Sequence, residues 1–185
     1  VTSIKNDAET PLNYDHLKAH PDVLKVDLAN PLQPGESYTL QLNYQLLIPD
    51  ATFTNYGITK AKDFDLKYWY ITPAVYDGKW HYYSNKNLDD LFIPKADVTI
   101  SITHPRNYKA TSELNFITSK INKEQNTQTT ILSGKDRIDT YLSLYKFSSY
   151  NFVQTDDFII ISDIKEKDLP GPAKALITDK VTRYL

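Results

Sequence analysis

The sequence predicts an all-β fold, an antiparallel sandwich or saddle, on three observations. Fourteen Tyr and seven Phe, with many Thr, Ile and Val, favour strands, and ten Pro and five Gly supply turn points between them. Alternating apolar and polar residues recur in several short runs, as in half-buried strands. No helical periodicity interrupts these runs before the last stretch of the chain, which argues against a doubly wound parallel sheet.

Three predicted strands have a clear alternation. In Val23–Leu28 and Ser37–Ile48 the apolar side chains occupy every second position, and turn residues (Pro34-Gly35 and Pro49-Asp50) bound the second run. In Lys95–His104 the valine and isoleucine side chains point inward, and Pro105 stops the run. Weaker patterns predict three further strands: Thr127–Leu132, Arg137–Phe147 and Phe158–Ser162.

Two dipeptides predict hairpins. Asp77-Gly78 lies between two aromatic runs, and this pair tolerates the positive φ angles of a type I′ turn. Ser133-Gly134 separates the predicted strand Thr127–Leu132 from the one that begins at Arg137, so a second hairpin is expected there.

The C-terminal stretch changes to a helical period. After Pro170-Gly171-Pro172, apolar side chains recur every three or four residues, at Ala173, Leu176, Ile177, Val181, Tyr184 and Leu185. This amphipathic helix leads out of the β domain and has an apolar face that needs a partner. We therefore expect a β domain over 1–168 and the truncated start of a following domain over 169–185.

Composition excludes several classes of function. The formal charge of −2 lacks the basic footprint of a nucleic-acid-binding protein. The absence of cysteine excludes disulfides, thiol catalysis and zinc–cysteine sites. No apolar run is long enough for a membrane-spanning helix. Methionine is absent as well, and we expect the chain to be a processed piece of a longer polypeptide.

The four histidines give weak metal or catalytic signals. His16 and His20 have the spacing of an HExxH zinc motif, but Leu17 replaces its glutamate and Pro21 disfavours helix, so a solvated loop between strands is the favoured interpretation. His104 is expected to be a hydrogen-bonded residue at the edge of the core. His81 has no acid or nucleophile beside it in the sequence.

The acidic pairs give only a weak catalytic signal, and the known catalytic motifs are absent. Asp89-Asp90 and Asp156-Asp157 are adjacent carboxylates, which in a strand point to opposite faces and in a loop are usually solvated. Neither a glycine-rich phosphate loop nor a Gly-x-Ser-x-Gly elbow is present. We therefore expect no catalytic residue and no metal ligand in this segment.

An aromatic cluster has two possible interpretations. It consists of Tyr68, Trp69, Tyr70, Tyr76, Trp80, Tyr82 and Tyr83. Alternate members could fill the core while the others cover an edge, which is the favoured interpretation. Exposed tryptophan and tyrosine could instead stack on sugars or hold peptides.

From Leu24 onward the chain resembles the N-terminal domain of the aminopeptidase-N-like zinc metallopeptidases, the gluzincins. The resemblance rests on four runs, VLKVDLANPLQPGESYTLQLNYQLLIP, YGI, YWYITPAVYDGKWHYY and KADVTISITHPRNYKATSELN. These match the family's Pro-Gly turn before a long amphipathic strand, its Pro-containing segment with a downstream Asp, and its Asp-Val strand that ends in Pro and is followed by an aromatic residue.

The resemblance implies a saddle-like β domain that precedes a thermolysin-like catalytic domain. Zinc, its HExxH ligands and the exopeptidase motif would belong to that following domain. The family's β domain also lends one Gln or Glu to the free amino end of the substrate. In the family this residue lies about nine positions before the conserved Pro. Counting back from Pro73 reaches Phe64, flanked by Asp63 and Asp65.

Either carboxylate could anchor an ammonium group through a charge-assisted hydrogen bond. Tyr68, of the aromatic cluster, is the third expected substrate-binding residue. The family's usual Arg before the Pro is missing, and Trp69 stands near its place. The parent is then either a zinc-dependent aminopeptidase or a degenerate homologue.

The leading hypothesis is a non-catalytic β domain of a larger metallopeptidase. It would pack on the catalytic domain of the same polypeptide, wall one side of the cleft and contact the N-terminus of a peptide substrate. An extracytoplasmic location, periplasmic or secreted, agrees with this architecture. The alternative is a stand-alone immunoglobulin-like or carbohydrate-binding module of a surface protein, which would use the aromatic cluster.

Overall fold

The computed structural model describes residues 1–82 and 94–146, together with the backbone of two strands at 151–154 and 159–162. These residues form strands and turns and contain no helix, so the predicted all-β class is confirmed. The strands are β1 Ser3–Asn6, β2 Tyr14–Leu17, β3 His20–Val26, β4 Leu40–Asn43, β5 Gly57–Ile58, β6 Phe64–Leu66, β7 Val75–Tyr76, β8 Trp80–His81, β9 Ala96–Pro105, β10 Lys109–Thr111, β11 Asn115–Asn122, β12 Thr127–Arg137, β13 Leu142–Tyr145, β14 Asn151–Gln154 and β15 Ile159–Ser162.

All pairings between these strands are antiparallel, as predicted. The two larger sheets have the orders β11-β12-β9 and β10-β13-β6-β5. Four two-stranded sheets accompany them, namely β1-β4, β2-β3, β7-β8 and β14-β15. Among the described residues, no helix is long and apolar enough to cross a membrane.

One core joins the two larger sheets. Its buried members are four leucines, Leu66, Leu114, Leu132 and Leu142. Partly buried side chains from β9, β6 and β10 pack against them, and so does Trp69. The core therefore lies where β12 and β9 of one sheet meet β6 and β13 of the other.

The predicted strand Lys95–His104 is confirmed as β9. Val98, Ile100 and Ile102 are half-buried and pack on the core, whereas the alternate residues are exposed. His104 continues the inward row and is 3% exposed, with Nε2 at 3.3 Å from the Thr130 hydroxyl. The prediction of a hydrogen-bonded histidine at the edge of the core is thus also confirmed.

The predicted hairpin at Ser133-Gly134 is wrong. Both residues lie inside the continuous strand β12, where Gly134 pairs with Val98 of β9. A Cβ atom on Gly134 would lie 2.7 Å from a side-chain atom of Leu114 and 2.7 Å from one of Arg137. This glycine therefore permits close packing and does not form a turn. Arg137 ends β12, so the strand predicted over Arg137–Phe147 is reduced to β13.

The predicted strand Ser37–Ile48 is also shorter than expected. Only Leu40–Asn43 is regular, because its partner β1 offers only the four residues Ser3–Asn6 for pairing. Leu46 lies beyond this ladder and is 52% exposed. The alternation was correct in kind, but the available partner set the length of the strand.

The Asp77-Gly78 hairpin is confirmed with a different turn. Val75 pairs with His81 and Tyr76 with Trp80, which leaves a three-residue loop. Within this loop only Gly78 has a positive φ, of 87°. A type I′ turn needs two such residues, so this detail of the prediction was wrong.

The strand predicted at Phe158–Ser162 is confirmed as β15, and Val23–Leu28 corresponds to β3, which begins earlier, at His20. The predicted helix over 169–185, the domain boundary at 168, Tyr83 and the acidic pairs Asp89-Asp90 and Asp156-Asp157 lie outside the described residues.

Candidate functional site

The three expected substrate-binding residues lie on and around β6. Asp65 is in the strand, Asp63 directly precedes it, and Tyr68 follows it. The side chains of Asp63 and Asp65 are half-buried, whereas Tyr68 is 57% exposed. Tyr68 also has a φ of 55°, in the left-handed region that bulky residues rarely adopt.

Asp63 binds backbone on both sides of its strand. Its carboxylate accepts a hydrogen bond of 3.0 Å from the backbone N–H of Lys146, just after β13. Its own backbone exchanges hydrogen bonds with Thr59, through the Thr59 N–H at 2.9 Å and the Thr59 hydroxyl at 3.2 Å. Asp63 therefore ties the turn before β6 to the end of β13.

Asp65 accepts two hydroxyl groups from β13 and its flank. The Tyr141 hydroxyl lies 2.6 Å from Oδ1, and the hydroxyl of the fully buried Ser143 contacts the same oxygen. Burial raises the pKa of Tyr141, and the hydrogen bond to Asp65 raises it further. Tyr141 is therefore a neutral donor at ordinary pH, and it holds the carboxylate in place.

Lys67 and Asp139 form a charged pair beside these residues. Lys67 Nζ lies 3.6 Å from Asp139 Oδ2, and it also lies 4.9 Å from the ring centre of Tyr68 and 5.8 Å from that of Tyr56. Hydrogen bonding to Tyr68 is the largest cause of a raised pKa at Lys67. This cation is thus held between one carboxylate and two aromatic rings.

An open cavity of about 700 Å³ adjoins this pair. Glu113, Arg137 and Tyr141 contribute to its walls together with Lys67 and Asp139. Glu113 is used locally, since its carboxylate accepts the backbone N–H of Tyr141 at 3.2 Å. The Nε atom of Arg137 is buried and has no hydrogen-bond partner among the described residues.

A second cavity is the aromatic groove, of about 380 Å³. One wall comes from the hairpin β2–β3 and from residues 44–46 after β4, and the other comes from residues 68–74 and from His81 and Tyr82. Asp139 borders both this groove and the larger cavity. The volume lies within the range of small-ligand sites, which are mostly apolar with a few polar groups.

The structure divides the aromatic cluster between the two interpretations. Trp69 packs against the core, and its Nε1 atom is buried without a hydrogen-bond partner in the part of the chain described. Tyr82 borders the groove at 41% exposure and contacts the His20 ring edge-on at 5.8 Å. Tyr76 and Trp80 are 61% and 62% exposed, with ring centres 5.1 Å apart. One member is core and several are surface.

Sequence reasoning missed an Asp–His pair on the β7–β8 hairpin. Asp77 Oδ1 lies 2.5 Å from His81 Nε2, across the three-residue loop. The signal was present, because a hairpin centred on Gly78 brings residues 77 and 81 close together. His16 lies on β2 with Nδ1 at 2.6 Å from the Pro21 carbonyl, and His20 begins β3, so the pair is on a hairpin and not on a helix.

No group of three His, Asp or Glu side chains in residues 1–82 and 94–146 is arranged to hold a metal ion. The predicted anchoring of an ammonium group by Asp63 or Asp65 stays a prediction. No protein-family model, no curated protein and no solved structure matches this chain.

Proposed function

We propose that this chain is a non-catalytic β domain of a larger aminopeptidase-like zinc metallopeptidase, and that the aromatic groove forms one wall of its substrate cleft. The observation that carries the proposal is the position of Tyr68 and Pro73. Both line the groove: Tyr68 is one of the three expected substrate-binding residues, and Pro73 is the proline by which the resemblance places the amine-contacting position. The antiparallel all-β architecture agrees with a saddle-like domain of this kind, and so does β9, which corresponds to the Asp-Val strand of the resemblance.

In this role the domain would position the peptide and exclude water. The apolar side chains of Ile71, Pro73 and Tyr82 suit the side chain of an N-terminal residue. Asp139, on the border of the groove, offers a carboxylate to an ammonium group, although Lys67 competes for it. By the resemblance, the zinc ion would be held by the catalytic domain, where it would act as a Lewis acid on the scissile carbonyl.

The coding sequence beyond residue 185 provides the first test. We expect an HExxH motif with a downstream Glu in the same polypeptide. A following domain without that motif would leave only the degenerate-homologue form of the proposal. A stop codon directly after Leu185 would refute both forms.

The second test measures peptide hydrolysis by the full-length protein. Tyr82→Ala and Tyr68→Asn should raise KM for unblocked peptides severalfold with little change in kcat, because binding contacts are lost before the chemical step. Asparagine is chosen at position 68 because it tolerates the left-handed backbone. Trp80→Ala is the control, since Trp80 is exposed but does not line the groove. Equal KM values in all four proteins would contradict the assignment of the groove.

A second candidate is a stand-alone immunoglobulin-like or carbohydrate-binding module. The exposed pair Tyr76 and Trp80 favours it, since such rings stack on the apolar faces of sugars. Titration of the isolated chain with glycan and peptide libraries, followed by tryptophan fluorescence, distinguishes the two ligand classes. A response to glycans that Tyr76→Ala abolishes, with the reporting Trp80 retained, would favour the module, and no response to either library would count against it.

A further inference from the structure

The edge strand β11 exposes an unusual amount of apolar surface. All eight of its residues are exposed, including Phe116 at 64%, Ile117 at 57% and Ile121 at 45%. On one side it pairs with β12, and within the described residues its other side has no strand partner. A long apolar edge of this kind is a ready template for pairing with another strand.

The strand register shows which face these residues occupy. Phe116 pairs with Leu132 and Ser119 with Thr130, and both of these β12 residues are buried. Ile121 pairs with Gln128, two positions farther along the same face. Phe116, Ser119 and Ile121 therefore lie on the core-facing side of the sheet. They continue the row of buried β12 residues onto the exposed edge of that face.

A bulge makes this arrangement possible. Ile117 has no partner on β12, because the register shifts between Phe116 and Thr118. Without that extra residue, Phe116 and Ile121 would point to opposite faces, since they are an odd number of positions apart. The bulge thus brings both large apolar side chains to one face of β11.

We propose that β11 pairs with β11 of a second copy of this chain, in an antiparallel register with Ser119 on the two-fold axis. Phe116 then lies opposite Ile121 of the other copy, on the core-facing side, and this contact occurs twice by symmetry. Ile117 bulges out of both strands. The β11-β12-β9 sheets of the two copies join into one sheet. The apolar side chains of the two β11 strands then form a continuous row between the two cores.

The spacing of the apolar side chains favours a second copy, because Phe116 and Ile121 lie at equal distances from Ser119 once Ile117 is bulged out. In this register Thr118 faces Lys120 of the other copy on the outer face, so the two lysines do not oppose each other. A shift of the pairing by one residue at the axis would place Lys120 opposite Lys120, which is unfavourable. The register with Ser119 on the axis avoids this repulsion, and the two-fold symmetry closes the assembly at two copies.

Sedimentation of the 185-residue chain over a range of concentrations tests the association. We expect a reversible equilibrium between a 21.3 kDa monomer and a dimer of twice that mass. Phe116→Asp and Ile121→Asp should each remove the dimer, whereas Phe53→Asp should not, since Phe53 is 95% exposed and lies outside β11. Circular dichroism checks that each variant is folded. A wild-type chain that stays monomeric at every concentration overturns the proposal.

Single cysteines test the register, because the chain has none of its own. Ser119→Cys places two thiols directly opposite each other, at the Cα separation that a disulfide needs. Asn122→Cys is the matched control on the same strand, with its two copies about 20 Å apart in this register. We expect mild oxidation to give a covalent dimer only for Ser119→Cys. Equal cross-linking of both variants overturns the proposed register.

A charge substitution gives a test in the opposite direction. Thr118→Asp should tighten the dimer roughly fivefold, because two exposed cross-strand ion pairs with Lys120 form. Thr118→Lys should weaken it by a similar factor. Dimerisation that is insensitive to both changes would show association through another surface and would overturn the proposal.

Discussion

Replacement of Asp65 tests whether this carboxylate is a structural or a binding group. It accepts hydrogen bonds from Tyr141 and from Ser143, which has no exposed surface. Hydrogen bonds to a charged acceptor stabilise proteins more than neutral ones, by about 1 kcal/mol each. We therefore expect Asp65→Asn to lower the free energy of unfolding by about 2 kcal/mol.

Asp65→Ala should cost more, because the Tyr141 hydroxyl then keeps only the Ser143 hydroxyl as an acceptor, at 3.3 Å, and the Ser143 hydroxyl keeps only the Phe64 carbonyl, at 3.1 Å. Loss of the charged acceptor without full loss of hydrogen bonding gives an expected total of about 3 kcal/mol. Urea unfolding followed by tryptophan fluorescence measures the effect, since Trp69 packs on the core. Asp7→Asn, in an exposed turn, is the control and should leave the midpoint unchanged. Values within about 0.5 kcal/mol of wild type for both Asp65 variants would refute the reasoning.

The same variants distinguish the binding hypothesis from the structural one. If Asp63 or Asp65 anchors the ammonium group of a substrate, Asp63→Asn and Asp65→Asn in the full-length protein should raise KM for unblocked peptides. A carboxylate that only holds β13 in place would lower stability and leave KM unchanged for the folded protein. An unchanged KM in both variants would remove these two residues from the site.

Three further predictions concern the packing and titration of single residues. Gly57→Ala should destabilise the chain by more than about 2 kcal/mol, since its Cβ would lie 2.2 Å from the Pro49 carbonyl oxygen at a φ of 128°; Gly78→Ala, with a positive φ but open space, is the control and should cost only about 1 kcal/mol in urea unfolding. Leu142→Ala should cost about 2–5 kcal/mol in the same assay, because Leu142 has no exposed surface and lies in the core cluster. The raised pKa of Tyr141 favours its neutral form in the folded state, so its contribution is present below about pH 10 and is lost as the pH rises above that value; Tyr141→Phe should therefore lose less stability than wild type between neutral and alkaline pH, and parallel pH profiles would contradict this.

Local patterns predicted the strands whose partners are long enough to use them. The alternation in Lys95–His104 became β9 because β12 pairs with it along nearly its whole length. The equally clear alternation in Ser37–Ile48 became a strand of only four residues, because β1 is short. Periodicity reports which face of a strand can be buried, but strand length depends on a partner that is distant in sequence.

Glycine was harder to interpret than alternation. Gly78 does occupy a turn with a positive φ, whereas Gly134 lies within a strand and permits a close approach of Leu114. The two dipeptides Asp77-Gly78 and Ser133-Gly134 look alike in sequence. What separates them is the packing on the far side of the glycine, which only the folded chain contains.

The environment of Asp65 could not be predicted from local sequence. Its donors are 76 and 78 positions away, and they meet it only because β13 pairs with β6. The family resemblance led to this strand by counting from Pro73, and it said nothing about β13. Tyr68, in contrast, could be selected as a candidate binding residue from its place in an aromatic run alone.

Trp69 links the core to the aromatic groove. Its ring packs on the leucine cluster, while its neighbours Tyr68 and Tyr70 both border the groove. The burial of this side chain thus anchors one residue of 68–74, a segment with no regular strand in the structure. The buried Nε1 donor of Trp69 reduces this gain, since an unsatisfied polar group carries a cost. The burial of the Trp69 ring therefore stabilises this wall of the groove by less than its apolar contacts alone would give.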